Sequence, residues 1–151
     1  MTFRTIDIKV LHFLRMVSMP MARIGIFVVF FWFGALKVFG LSPAGPLVLA
    51  LLSRTMPFIY PETFLILFGA FECLIGILFL IKGGERIAVA LLFFHMITTV
   101  MPIFLLPQIA WSGFLIPTLE GQYIIKNLAI IAAAIGIGAH LHPLHKGHHI
   151  C

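Results

Sequence analysis

The sequence predicts an all-α integral membrane protein. Its architecture is an antiparallel bundle of four transmembrane helices, with an N-terminal interfacial helix and a short re-entrant or interfacial helix in the first outer loop. Three observations carry this reading. Of 151 residues, 62% are hydrophobic and 10% charged, where soluble domains have about 45–50% and about 25%. Mean hydropathy is +1.15. Four apolar stretches, residues 23–39, 60–81, 87–106 and 121–141, approach the roughly 20 helical residues that cross about 30 Å of hydrocarbon. Such a chain is too apolar to be disordered and too short for two ordinary domains of roughly 100–200 residues.

The first segment, residues 1–20, alternates Ile8, Leu11, Phe13 and Leu14 with Lys9, His12 and Arg15. That pattern suits a helix lying in the membrane interface, ended by Pro20. No small-residue cleavage site follows a short apolar core, so the segment is read as retained. Residues 21–141 form the membrane domain. Between its second and third spans, Lys82-Gly83-Gly84-Glu85-Arg86 makes a tight charged turn that forces a hairpin. Residues 142–151 form a His-rich tail.

Orientation follows from the basic residues. Arg4, Lys9, Arg15 and Arg23 precede span one, Lys82 and Arg86 lie in the middle turn, and Lys146 follows span four. Arg54 alone sits in a loop on the other side, so both termini are expected in the cytoplasm. Topology therefore accounts for the net charge of +5 without nucleic acid as a partner. The first outer loop, residues 42–59, carries Pro43, Pro46 and Pro57 around an apolar run too short to span, hence the re-entrant or interfacial helix. The second outer loop, residues 107–119, is uncharged and carries Trp111, a residue type that anchors at headgroup level.

A charge at the bilayer centre costs at least about 2.5–3.5 kcal/mol on insertion scales, so each one asks for a reason. Glu72 in span two is about 15 Å from the Lys82 turn and His95 in span three about 13 Å from Arg86, at 1.5 Å per residue. A hairpin brings them to the same depth, where they can pair. Lys37, Glu120, Gln122, Lys126 and Asn127 lie nearer the outer face, with Lys37 and Lys126 in reach of Glu62 or Glu120. The expected result is a polar column, with Glu72 and His95 at mid-depth below Lys37, Lys126 and Asn127. Structurally, the column fixes helix register, and Lys37 can snorkel to the headgroups. Functionally, it lines a cavity that binds a polar head on an apolar tail. A quinone fits, with His95 or a lysine donating to a carbonyl and Glu72 moving a proton.

The tail offers His140, His142, His145, His148, His149 and Cys151, ligand types for Zn, Cu or Ni. It lacks the paired spacing of structural zinc sites, so a solvated tail that gains charge at mildly acidic pH is the simpler account. Cys73 and Cys151 form no C-x-x-C, which argues against disulfide exchange. Gly69, Gly76 and the run from Ala132 to Gly138 read as small residues for close helix packing. No phosphate loop, nucleophile elbow or paired catalytic carboxylate is present.

Several of these pieces together resemble the DoxX-like superfamily of small four-helix membrane proteins and, within it, the YkgB-like group. They are Phe31-Trp32-Phe33-Gly34-Ala35-Leu36-Lys37, Ser42-Pro43-Ala44 with Pro46-Leu47-Val48, and Gly69-Ala70-Phe71-Glu72 followed by Ile75-Gly76. The most specific is Pro117-Thr118-Leu119-Glu120-Gly121-Gln122-Tyr123-Ile124-Ile125-Lys126-Asn127-Leu128. The resemblance spans residues 23–139 and marks Lys37, Glu72, Glu120, Lys126 and Asn127 as polar family positions. It implies a bacterial inner-membrane bundle of redox or oxidative-stress physiology, a membrane subunit of a quinone-linked oxidoreductase working with other membrane or soluble subunits. YkgB-like members resemble a protein of the reactive-chlorine response. One departure is that Cys73, alone in the bundle, has no partner for sulfur chemistry. The expected function is thus quinone binding, or binding of a similar amphipathic molecule, by a subunit that is not a complete enzyme. The alternatives are a non-catalytic structural subunit, with residues 46–58 as its contact surface, and a small transporter or channel.

Overall fold

The computed structural model describes the backbone of residues 3–141 and the side chains of residues 6–141. Six helices and one small hairpin follow in order: α1 (Phe3–Val38), α2 (Gly45–Thr55), α3 (Pro61–Leu80), α4 (Glu85–Leu105), α5 (Pro107–Ala110), β1 (Trp111–Gly113), β2 (Ile116–Pro117) and α6 (Leu119–Ala139). Four of them, α1, α3, α4 and α6, are long and apolar enough to cross a membrane, and the chain is a multi-pass membrane protein.

The helix boundaries follow local chemistry. Prolines open α2, α3 and α5 in the first turn, where a missing N–H costs nothing. Past the end of α1, Gly40 takes a left-handed conformation (φ 71°). Leu41 N–H then donates to Leu36 O and Gly40 N–H to Lys37 O, the paired bonds of a Schellman ending. Thr118 caps α6, accepting from Gly121 N–H at 3.2 Å and donating to Ile109 O at 2.6 Å.

The four long helices form a ring in which α1 touches α3 and α6, and α4 touches α3 and α6. Ile26, Phe30, Ile75, Phe79, Ala88, Leu92, Met96, Ala134 and Ile137 fill its centre. Large apolar side chains also cover the outside, among them Trp32, Leu67, Phe94, Ile97 and Leu128, as lipid-facing surfaces require. Among the four long helices, the closest packing is between α1 and α3. A Cβ on Gly34 would lie 2.6 Å from Gly69 O, one on Gly69 would lie 2.5 Å from Gly34 O, and one on Gly76 would lie 3.0 Å from Phe31 N. Close backbone approach through small residues is how apolar helices associate where burial from water offers no drive.

Two expectations need correction. Pro20 does not end a separate interfacial helix, because α1 runs through it for 36 residues. One lost backbone bond is outweighed by cooperative helix on both sides and by the need of an apolar chain to satisfy its backbone internally. The second outer loop carries local structure of its own. It holds α5 and an antiparallel β1–β2 pairing of Trp111 with Pro117 and Gly113 with Ile116, turned by Leu115 at φ 57°. Gly136 and Gly138 face open space, so they do not mediate close packing. The short helix in the first outer loop is present as α2, 11 residues long, packed on α3 and α4.

Candidate functional site

Three charged or polar side chains meet in the bundle, one from each of α1, α3 and α4. Lys37 Nζ donates to Glu72 Oε2 at 2.6 Å, and His95 Nε2 lies 3.3 Å from Glu72 Oε1. All three residues are buried, at 6%, 6% and 4% exposure. The Gly34–Gly69 crossing makes this possible. Each glycine precedes its charged partner by three residues, one helical turn along the same face. With no Cβ between the backbones, the short Glu72 side chain reaches the Lys37 ammonium.

An aromatic cage surrounds the imidazole. The Phe30 ring meets His95 edge-on at 5.3 Å, Phe68 lies tilted at 4.9 Å, and Phe71 lies at 6.1 Å. Phe68 also lies under the Lys37 ammonium, 5.7 Å from ring centroid to Nζ, where the ring face attracts a cation. On α4, the Thr98 and Thr99 hydroxyls both donate to His95 O, at 2.6 and 3.1 Å.

An imidazole that carries its hydrogen on Nε2, the nitrogen beside the Glu72 carboxylate, has Nδ1 as an acceptor. His95 Nδ1 is buried and makes no hydrogen bond, a rare state for a buried polar atom and one that calls for an explanation. Chemically, an Nδ1 that carries no hydrogen can accept a hydrogen bond from a hydroxyl.

The predicted pairing of Glu72 with His95 is present. The predicted partner of Lys37 is not. Lys37 meets Glu72 rather than Glu62 or Glu120, both of which are exposed. The upper part of the expected column is also absent. Lys126 and Gln122 are exposed, Asn127 is half-buried, and the Lys126 ammonium rests over the Tyr123 ring at 5.2 Å. The reason is helix rotation. The face of α6 that turns inward carries Gly121, Ile124, Ala134 and Ile137, which puts Glu120, Gln122 and Lys126 on the outer surface. Among the suggested metal ligands, His140 caps α6 with Nδ1 2.7 Å from Gly136 O. His142, His145, His148, His149 and Cys151 lie outside the described residues. Among the described residues no three His, Cys, Asp or Glu side chains group as metal ligands.

The sequence reading missed the aromatic cage, although Phe68 sits one turn before Glu72 on the same face of α3. It also missed a second ion pair. Arg23 Nη1 lies 2.8 Å from Glu85 Oε1, its Nε–H donates to Phe79 O at 2.7 Å, and Glu85 Oε2 accepts from Gly83 N–H at 2.6 Å. Arg23 thus ties α1 to both sides of the α3–α4 turn.

Shallow grooves open on the surface of the described residues. One of about 490 Å³ runs between α4 and α6, lined by Phe93, Met96, Ile97, Val100, Met101, Phe104 and Ile131. Another, about 280 Å³, lies between α1 and the end of α3. Neither is lined by Lys37, Glu72 or His95. Comparison of the chain with protein-family models, curated proteins and solved structures finds no match.

Proposed function

We propose that this multi-pass membrane protein binds the polar head of a quinone, or of a similar amphipathic molecule, at the Lys37–Glu72–His95 cluster. It would do so as a membrane subunit of an oxidoreductase in bacterial inner-membrane redox or oxidative-stress physiology. The observation that carries the reading is the unpartnered, buried His95 Nδ1 beside a Lys–Glu pair in the apolar layer. A quinol hydroxyl donates a hydrogen bond to Nδ1, and Glu72 Oε1 holds the imidazole from its Nε2 side. Lys37 pairs with Glu72 rather than touching the ligand itself. The resemblance of the segments around Lys37, Glu72 and Lys126 to DoxX-like proteins supports the physiological setting, a partner subunit and cytoplasmic termini.

A second reading has its own observation. Both Glu72 oxygens face partners within the cluster, and neither groove reaches it. On that reading the three residues lock the register of α1, α3 and α4 in a non-catalytic subunit of a larger complex. Purification in a gentle detergent, with mass spectrometry of everything retained, separates the two. Quinone that co-purifies with the native chain and is lost in folded His95→Phe supports binding at the cluster. Stoichiometric protein partners with no small molecule support the lock.

A further inference from the structure

We propose that the smaller groove, between α1 and the end of α3, is a binding site for a phospholipid with a net-negative headgroup. It is lined by Met19, Pro20, Arg23, Ile24, Leu80 and Lys82. This composition is divided in the way a lipid is divided. Met19, Ile24 and Leu80 offer apolar surface along the helices, whereas Arg23 and Lys82 place cations at the end of the bundle marked by the α3–α4 turn.

The local charge balance favours an anion. Among the described residues, Glu85 is the carboxylate at this end, and it is committed to Arg23 Nη1 and Gly83 N–H. Arg23 spends Nε–H on Phe79 O, and its planar guanidinium keeps further N–H donors. Lys82 is exposed on the turn. Arg23, Lys82 and Glu85 together leave one positive charge at the groove. Arg15 sits two turns before Arg23 on the same face of α1, and Arg86 follows Glu85. Carbonyls at the end of α3 would repel an anion, but Phe79 O is already covered by Arg23. A basic pocket between membrane helices at headgroup depth matches a phosphodiester with an acyl chain beside it.

The test uses the full chain, purified in dodecyl maltoside and stripped of lipid. Native mass spectrometry and thermal unfolding then follow titration with phosphatidylglycerol, phosphatidylcholine and inorganic phosphate in turn. Phosphatidylglycerol is expected to be retained one per chain and to raise the melting temperature, with phosphatidylcholine much weaker. Lys82→Gln should weaken phosphatidylglycerol roughly fivefold, the contribution of one lysine near an anionic surface, and Lys82→Arg should restore it. Lys82 packs against nothing in the core, so folding survives both changes. Equal retention of the two lipids, or unchanged affinity in Lys82→Gln, would overturn the proposal. Inorganic phosphate matching the lipid's effect would overturn it too, because the apolar half of the groove would then contribute nothing.

Discussion

Gly34 on α1 and Gly69 on α3 press their backbones together one turn before Lys37 and Glu72, so that the tightest crossing in the bundle is also what brings its buried charges into contact. Packing and site are therefore one feature, and a change in the first must appear in the second.

Gly69→Ala should destabilise the protein by about 1–3 kcal/mol, the usual cost of overpacking, since its Cβ would meet Gly34 O and Lys37 Cβ at 2.5 and 2.8 Å. Gly25→Ala faces nothing within 4 Å and should be neutral, or stabilising by about 0.5–1 kcal/mol as helical glycines usually are when replaced. Thermal unfolding in one detergent compares them, and equal behaviour of the two variants would refute the crossing.

Glu72→Gln alone strands the Lys37 ammonium, and Lys37→Met alone strands the carboxylate. Each should cost about 3–5 kcal/mol, as removal of one partner from a buried pair does. The double variant should recover a large part of that loss. A double-mutant cycle read by unfolding gives the coupling directly, and additive losses would mean that the two side chains do not interact.

His95→Phe places a ring in a cage already built of Phe30, Phe68 and Phe71 but leaves the buried Glu72 Oε1 without its imidazole partner. Stability should fall by about 1–3 kcal/mol, while any quinone bound at the cluster should be lost. Retention of ligand by this variant would move the site elsewhere in the molecule.

Lys126→Gln should leave ligand binding at the cluster unaffected and cost less than about 1 kcal/mol, the upper end for an exposed cation over a ring. Arg23→Gln should cost more, about 1.5–3 kcal/mol for a hydrogen bond made by a charged group. Side-by-side melting curves decide the order, and a larger effect at Lys126 would contradict the outward rotation of α6.

What the sequence made legible was set by length and charge. Four apolar runs and the Lys82–Arg86 turn suffice to place Glu72 and His95 at one depth, because rise per residue is a constant of the helix. Rotation about the helix axis is not encoded so simply. Lys126 and Lys37 are both lysines toward the same end of a span, yet one rests on Tyr123 at the surface and the other is enclosed. The difference lies in which neighbours offer glycine. Lys37 follows a backbone crossing, whereas Gly121 on α6 packs against Ala110 and Pro117 of the loop. The β1–β2 hairpin was invisible for another reason. Its turn uses Leu115 at positive φ, where glycine or asparagine is the usual signal.

Proline lacks an N–H, so Pro20 cannot answer the carbonyl of Met16 one turn earlier. Met16 is 63% exposed, with no neighbouring helix covering it. In hydrocarbon such an unanswered carbonyl costs several kcal/mol, and near water it costs almost nothing. The Met16 carbonyl is therefore the point on α1 where contact with water removes the largest backbone penalty, and a wet boundary placed there would fix how deeply the helices packed against α1 are immersed.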